Sequence, residues 1–267
     1  MDYQTILFDV GADKVATITL NRPEAMNSFN AQMTREFVHL WKRISEDDNI
    51  NAVVLRASDC RAFSTGADIK QSREDENVLG STFDFNMQDP GEFLGPKANR
   101  CWKPVVTAVH GLCCGGAFYF LNESDIIICA EDSQFFDPHV DYGLACCVEP
   151  IGLSYRMAIG DVMRIALLGN AERMSAKTAL EARLVSEVHP TREALWQRAH
   201  YLAATIAARP TEAVQGSVYS IWASMDQGRK VALEQGFRHC LIVAPGGKSK
   251  LDHQALMKNA KREFEVR

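Results

Sequence analysis

Four segments in the first half of the chain combine β-branched and other apolar residues in the pattern of buried strands. They read KVATITL, NAVVLRAS, KPVVTAVHG and DIIICA, and polar or turn-forming residues bound each of them. Between the first two, residues 31–46 predict a helix with one apolar face, made of Met33, Phe37, Leu40, Trp41 and Ile44. Strands that alternate with helices predict an α/β fold.

The pattern becomes helical from about Gly160 onward. Five segments predict helices: DVMRIALLG, SAKTALEARL, TREALWQRAHYLAATIAARP, TEAVQGSVYSIWASM and DHQALMKNAKREFEV. The carboxy-terminal third is therefore predicted to be mostly helical. By contrast, the acidic segment from Ser72 to Gly95 has no sustained period, and it predicts a mobile surface loop with short helical pieces.

Composition restricts the classes of protein to which the chain can belong. Its 267 residues are 46% hydrophobic and carry a formal net charge of -5, which disfavours a nucleic-acid surface with clustered Lys and Arg. The amino terminus lacks the basic start and long apolar region of a secretory signal, and no apolar run reaches the roughly 18 residues of a membrane span. We therefore expect a soluble, cytoplasmic protein.

The eight cysteines include two adjacent pairs, Cys113 with Cys114 and Cys146 with Cys147. No two CxxC pairs occur at the spacing of a structural zinc site, so we expect no metal site. In a reducing compartment buried thiols behave as small apolar side chains. The alternative of a nucleophilic thiol at Cys146 or Cys147 would require a base nearby.

Two glycine-bearing turns each follow a predicted strand and open a helix. The first reads RAFSTGADIK, and the second reads VTAVHGLCCGGAFYF and contains Gly111, Gly115 and Gly116. Neither matches the glycine patterns of a nucleotide-binding loop. Two backbone N–H groups aimed at one point from such turns would bind a negatively charged oxygen. The alternative is that these glycines simply allow a strand to pack tightly on a helix.

Five segments occur in the order and at about the spacing of one known family: ITLNRPEAMNSFN, RAFSTGADIK, KPVVTAVHGLCCGGAFYF, SDIIICAEDSQFFDP and LVSEVHP. Through them the chain resembles the enoyl-CoA hydratase/isomerase, or crotonase, superfamily. The resemblance implies an α/β spiral core of ββα units over residues 1–200 and a helical trimerisation region over residues 201–267. It also implies a homotrimer, or a hexamer of two trimers, that acts on a coenzyme A thioester without a prosthetic group.

The resemblance assigns binding roles by position. The backbone N–H groups of Ala67 and Gly116 would hold the thioester oxygen as it gains negative charge. Seven positions match the family's coenzyme A channel: Arg22, Ala25, Met26, Ser64, Asp68, Ile69 and Lys70. Lys70 has the charge to pair with a phosphate, and its alternative role is that of a solvated surface lysine. Lys258 and Lys261 would reach the coenzyme A of a neighbouring subunit.

The chain departs from the family at the catalytic positions. Hydratases of the family hold and activate water between two glutamates, and the matching positions here are Tyr119 and His139. The imidazole of His139 can act as base, acid or nucleophile near neutral pH, with Asp137 or Asp141 to orient it, and Tyr119 can donate a hydrogen bond. Glu149 lies in a region from which other members present a catalytic acid. Its alternative role is to stabilise the start of a helix.

These residues predict an acyl-CoA-processing enzyme that stabilises an enolate or a tetrahedral oxyanion without the two hydratase glutamates. With His139 and Glu149 exchanging protons, the expected chemistry is isomerisation, hydrolysis or another lyase reaction. A non-catalytic acyl-CoA-binding or scaffolding protein is the first alternative. A standard hydratase that uses other groups is the second.

Overall fold

The computed structural model describes residues 1–72, 81–83, 85–247, 251–259 and 264–267. The strands are β1 Ile6–Val10, β2 Val15–Leu20, β3 Ala52–Ala57, β4 Ala62–Ser64, β5 Ser81–Phe83, β6 Asn86–Gln88, β7 Val105–Val109, β8 Leu112–Cys114, β9 Ile126–Ala130, β10 Gln134–Phe136, β11 Met174–Ser175 and β12 Val188–His189. The helices are α1 Ala31–Glu46, α2 Ile69–Ser72, α3 Gly91–Leu94, α4 Phe118–Asn122, α5 Val148–Leu153, α6 Ile159–Leu168, α7 Ala176–Glu181, α8 Arg192–Ala207, α9 Thr211–Ala223, α10 Arg229–Val243 and α11 His253–Asn259.

A six-stranded sheet has the strand order β1-β2-β3-β7-β9-β12. β1 is antiparallel to β2, and the other neighbours pair in parallel. The four strands predicted from the sequence are β2, β3, β7 and β9, which lie side by side in the middle of this sheet. Parallel strands covered on both faces consist of nearly continuous apolar residues, and for this reason their segments are recognisable in the sequence.

Helices cover both faces of the six-stranded sheet. On one face α1 buries the predicted apolar stripe, including Phe37 and Trp41, and the Asn30 side chain accepts a 2.9 Å hydrogen bond from the backbone N–H of Met33 at its start. On the other face α8 packs on β3, β7 and β9 through a row of mostly small residues, namely Leu195, Ala199, Ala203 and Ala207. Alanines on the inner face let this helix approach the sheet closely.

A second sheet, of strand order β11-β10-β8-β4, positions the glycine turns. β4 and β10 both run parallel to β8, and β11 is antiparallel to β10. The carboxyl ends of β4, β8 and β10 therefore lie at the same edge of this sheet. The two glycine turns follow β4 and β8, and the segment that contains His139 follows β10. Three separate stretches of sequence are brought together at this edge.

The segment from Ser72 to Gly95 differs from its sequence-based interpretation as a loop with short helical pieces. Its described part contains the antiparallel hairpin β5-β6 as well as the short helix α3, while residues 73–80 and 84 lie outside the described residues. Helix α10 was not predicted from the sequence, because its apolar residues are distributed around the helix rather than along one stripe.

The chain divides into two compact units, Met1–Ala208 and Arg209–Arg267. The sequence-based boundary at 200/201 falls within α8. The whole of this helix lies in the first unit, which ends at Ala208. The second unit contains α9, α10 and α11. There the hydroxyl of Ser220 lies 2.8 Å from Nδ1 of His239, which links α9 to α10. Among the described residues, no helix combines the length and apolarity needed to cross a membrane.

His110, directly after β7, is fully buried, and neither of its ring nitrogens has a partner at good hydrogen-bond geometry among the described residues. Its ring packs edge-on against Trp196 of α8, with 5.9 Å between ring centroids. Burial lowers the pKa of His110 to about 4, and the nearby Arg192 cation acts in the same direction. The ring is therefore neutral in the folded protein at neutral pH.

We expect this ring to make the protein less stable as the pH falls from 6.5 to 4. In that range the unfolded chain binds a proton at His110 that the folded chain does not, so the free energy of unfolding decreases by on the order of 3 kcal/mol in total. Below pH 4 both states bind the proton and the loss ends. Urea unfolding of wild type and His110→Phe at several pH values measures this difference, because phenylalanine keeps the aromatic packing and cannot titrate.

The matched control is Ile128→Val, a fully buried apolar substitution on the same side of the sheet as α8 that changes no titratable group. This variant should lower the free energy of unfolding by the same amount at every pH. Equal pH dependence in wild type and His110→Phe would contradict the assignment to His110.

Candidate active site

The two glycine turns meet at the edge of the second sheet. Gly66 has a positive φ of 78°, and a Cβ atom placed on it would lie only 2.6 Å from the backbone nitrogen of Gly116. Gly115, also at positive φ (55°), starts the 3-10 turn Gly115–Ala117 that leads into α4. Both the backbone conformation and the close approach require glycine here. The two glycine turns are therefore in close contact in the structure.

Two hydrogen bonds with the backbone of Phe29 hold the first glycine turn, and the amide of Ala67 points away from Phe29. The N–H of Phe29 donates to the carbonyl of Gly66, and the N–H of Asp68 donates to the carbonyl of Phe29, both at 2.8 Å. The N–H of Ala67, between these two, makes no hydrogen bond among the described residues. Gly116 lies in the first turn of its helical segment, where amide groups lack partners within the helix.

His139 lies in the 3-10 turn His139–Tyr142 and is held by a buried carboxylate. Its Nδ1 atom is 2.6 Å from Oδ1 of the fully buried Asp137, and its backbone N–H donates to the same oxygen at 3.0 Å. This hydrogen bond raises the pKa of His139 above its ordinary value and outweighs the opposite effect of burial. The ring lies next to the second glycine turn, since a Cβ on Gly115 would be 3.9 Å from its Cε1.

Glu149, in the first turn of α5, is brought to the other side of the same imidazole. Its Oε1 atom is 4.0 Å from Nε2 of His139, and the residue is 5% exposed. Burial raises the pKa of this carboxyl above its usual range, against the lowering effect of its hydrogen bonds and of His139. The two sequence candidates His139 and Glu149 thus adjoin one another, and burial makes the Glu149 carboxyl harder to ionise than an exposed one.

Tyr119, on α4, lies between the glycine turn and a carboxyl group that sequence reasoning did not identify. Its ring packs against Gly116, and its hydroxyl donates to Oδ2 of Asp89 at 3.1 Å. Burial raises the pKa of Tyr119, followed by the effect of the nearby Glu149 carboxyl, so the phenol remains protonated. Burial likewise raises the pKa of Asp89. In the sequence, Asp89 is marked only by the proline that follows it, and an Asp-Pro pair is typical of a turn.

The structure distinguishes Asp137 from Asp141 and Cys146 from Cys147, two pairs whose roles the sequence left open. Asp141, proposed with Asp137 as an orienting group for His139, instead accepts hydrogen bonds from the backbone and side-chain nitrogens of Asn170 at 2.6 and 2.7 Å. Cys146 lies close to His139 and Glu149, whereas Cys147 is exposed. Burial raises the pKa of the Cys146 thiol, and the Asp137 carboxylate adds to this effect, so it is not an activated nucleophile.

The positions matched to the coenzyme A channel fall into two groups. Arg22 and Asp68 are largely buried and form an ion pair of 2.8 Å, and a second Arg22 nitrogen donates to the carbonyl of Ser28 at 2.6 Å. Ser64 is fully buried, and its hydroxyl oxygen accepts a 3.2 Å hydrogen bond from the N–H of Gly66. These three side chains therefore fix the backbone around the first glycine turn.

The second group lies nearer the surface of the same unit. Met26, Ile69 and Lys70 are exposed and Ala25 is half-buried, so these side chains are accessible to a ligand. Lys258 is an exposed residue of α11 in the second unit. Lys261 lies outside the described residues.

Comparison with known proteins places these features in context. A family model described as enoyl-CoA hydratase/isomerase matches residues 11–238. The chain is 28% identical to the mitochondrial Delta(3,5)-Delta(2,4)-dienoyl-CoA isomerase of Rattus norvegicus, and the match covers 99% of this chain and 80% of that protein. It is 33% identical to a probable enoyl-CoA hydratase of Rhizobium meliloti, over 70% of each chain.

Solved structures have the same architecture. An enoyl-CoA hydratase/isomerase from Mycobacterium paratuberculosis superposes with a TM-score of 0.85 at 30% sequence identity, covering 100% of both chains. An enoyl-CoA hydratase from Bacillus anthracis has a TM-score of 0.82 at 22% identity over 96% of each chain, a likeness that concerns the fold alone.

Proposed function

The chain belongs to the enoyl-CoA hydratase/isomerase family of the crotonase superfamily, and on this premise we propose that it is an isomerase that moves a double bond in an unsaturated acyl-CoA thioester. The observation that carries the proposal is the pair of protonatable side chains at the glycine turns. Nε2 of His139 and Oε1 of Glu149 are 4.0 Å apart, and Nδ1 of His139 is held by Asp137. An isomerisation needs such a pair, because it removes a proton from one carbon and returns one to another.

The proposed reaction begins with the thioester oxygen bound by the N–H groups of Ala67 and Gly116. These donors stabilise the enolate that forms when a proton leaves the carbon chain, an effect worth about 3 to 4 kcal/mol for one donor in acyl-transfer enzymes. Because both donors belong to the backbone, their position depends on the contact between the two glycine turns rather than on any side chain.

His139 is the proposed base. Its Nε2 atom takes the proton from carbon while Asp137 holds the Nδ1 proton and stabilises the resulting imidazolium. The electron pair of the broken C–H bond moves into the conjugated system, and the double bond shifts. The reaction uses the form of the pair in which Glu149 holds the proton, a form that burial promotes by raising the pKa of this carboxyl, and Glu149 gives that proton to the second carbon. Transfer of a proton from imidazolium to carboxylate then restores both groups.

Hydration is the less favoured reaction for this set of residues. Two carboxylates hold the attacking water in the hydratases of the family, and here a protonated phenol and an imidazole stand at those positions. Tyr119 stays protonated and donates a hydrogen bond to Asp89, so it cannot replace a carboxylate as base. The mitochondrial dienoyl-CoA isomerase that matches nearly the whole chain supports isomerisation as the reaction type.

Substrate binding is proposed to use coenzyme A as part of the thioester, with no prosthetic group. The accessible Ala25, Met26, Ile69 and Lys70 would contact it, with the Lys70 ammonium on a phosphate. Arg22, Asp68 and Ser64 would act indirectly by fixing the loop. A homotrimer or hexamer is also proposed, because α9 and α10 carry exposed apolar residues, including Ile221 and Phe237.

The experiment that tests the function is a panel of enoyl-CoA and dienoyl-CoA thioesters incubated with the protein in D₂O. We expect a shift of ultraviolet absorbance from double-bond migration and incorporation of deuterium at carbon, because the bases exchange their protons with solvent. Loss of crotonyl-CoA absorbance by hydration should be slight. Tight acyl-CoA binding with neither product nor deuterium exchange would contradict an enzymatic role and support a non-catalytic binding protein.

A further inference from the structure

Cys146 lies beside the acid-base pair, and the proposed proton transfer gives its thiol no task. Together with Asp137, His139 and Glu149 it forms a group in which each residue offers one donor atom and all four atoms lie within 4.8 Å of one another. We propose that Cys146, His139 and Glu149 bind one Zn²⁺ ion while Asp137 holds the imidazole from behind, and that the bound ion prevents proton transfer. The sequence predicted no metal site, because the four donors lack the regular spacing of a zinc motif.

The imidazole is already oriented as a metal ligand would be. Its Nδ1 atom is engaged by Asp137 at 2.6 Å, and this leaves Nε2 on the side of Glu149. A carboxylate that fixes the second ring nitrogen is the usual arrangement behind a zinc-bound histidine. Ligand atoms around tetrahedral zinc lie about 3.5 Å apart, given bonds of about 2.0 to 2.3 Å. Small side-chain rotations would therefore bring Nε2 and the Glu149 oxygen, now 4.0 Å apart, into range.

A second observation points to a cation at this place. The other carboxylate oxygen of Asp137, Oδ2, is buried and has no hydrogen-bond partner among the described residues. The Cys146 thiol adjoins this carboxylate, and a cation bound to the deprotonated sulfur would lower the cost of burying the charged oxygen. The two positive charges of Zn²⁺ would balance the Cys146 thiolate and the Glu149 carboxylate, while Asp137 remains paired with the His139 ring.

The donor atoms select the kind of ion. One thiolate sulfur and one imidazole nitrogen with carboxylate oxygens suit zinc better than magnesium or calcium, which prefer oxygen ligands. An ion bound to Nε2 of His139 and to Glu149 would occupy both groups of the proposed acid-base pair. The site therefore goes beyond the proposed function, since it describes an inhibited form of the protein rather than a step of the reaction.

The test uses the full chain, freed of metal with a chelator and titrated with ZnCl₂ by calorimetry. We expect one Zn²⁺ per chain, and on titration with Co²⁺ we expect the absorption band of a thiolate bound to cobalt. Cys146→Ser should lose that band and weaken Zn²⁺ binding by more than the about 10- to 100-fold that an outer-shell change costs. Cys147→Ser is the matched control, because its thiol is adjacent in sequence but exposed, and it should keep both properties.

Several results would overturn the site: no Zn²⁺ bound by the wild type, or loss of the cobalt band in Cys147→Ser instead of Cys146→Ser. If Cys146→Ser does not fold, His139→Gln replaces it and should weaken Zn²⁺ binding to a similar extent, and unchanged affinity would contradict the proposal. These measurements need no substrate, so their outcome is independent of turnover. Absence of turnover in the metal-free protein would contradict the proposed function and leave the metal site standing.

Discussion

Replacing His139 with alanine is expected to lower turnover of an acyl-CoA substrate by about 10²- to 10⁴-fold and to leave coenzyme A binding nearly unchanged. The substitution removes the proposed base but touches neither the backbone amides of the glycine turns nor the exposed residues near Lys70. The measurement is kcat on whichever thioester of the panel is turned over, together with calorimetric titration of coenzyme A. Loss of kcat with an unchanged binding constant is the result that a base predicts.

His200→Ala is the control for this variant. His200 is also paired with a carboxylate, at 2.9 Å from Asp13, but it lies on the exposed side of α8. Its replacement should leave turnover at the wild-type value. Unchanged turnover in His139→Ala would remove His139 from the mechanism, and equal losses in both variants would indicate a general effect on folding.

A single methyl group at Gly66 is the second change with a large expected effect. In Gly66→Ala the new Cβ would lie 2.6 Å from the backbone nitrogen of Gly116 and 3.0 Å from the carbonyl oxygen of Cys114. Alanine at a φ of +78° adds backbone strain of about 1 to 3 kcal/mol. The Gly116 amide must move away, and loss of such a donor lowers kcat by about 10²- to 10³-fold. Urea unfolding and kcat measure the two effects separately.

Gly160→Ala provides the matched control, because Gly160 lies in α6 and a Cβ there would meet nothing within 4 Å. Alanine in a helix should leave turnover unchanged and stabilise the protein by up to about 1 kcal/mol. If Gly66→Ala remained folded with wild-type turnover, the contact between the two turns would have no role in catalysis.

The parts of the fold that the sequence predicted are those with a local physical cause. Central parallel strands such as β3 and β7 consist almost entirely of apolar residues because both of their faces are covered, and α1 repeats apolar residues along one stripe. The glycine turns were predicted because positive φ values and close backbone contacts restrict the residue type. Such constraints determine the types of a few neighbouring residues and can therefore be recognised in the sequence.

The arrangement of the site could be predicted less completely. Asp137 and Asp141 are equally distant from His139 in sequence. Asp137 precedes the 3-10 turn His139–Tyr142 and contacts the ring, whereas Asp141 lies within the turn and contacts Asn170. Asp89 contacts Tyr119 from 30 residues away, and it directly follows a hairpin whose sequence has no clear strand period. Contacts of this kind depend on tertiary packing, which local patterns do not encode.

The use of backbone amides rather than side chains at the glycine turns has a consequence for how such proteins diversify. A point mutation at Tyr119, His139 or Glu149 changes which group gives or takes a proton, but the N–H of Ala67 is a feature of the main chain and survives any such mutation. Under the proposed function, the capacity to hold an anionic oxygen is thus a property of the fold, whereas the side chains beside it can change. New reactions could then arise on this scaffold by exchanging a few side chains, without first losing the amides that are proposed to stabilise the intermediate.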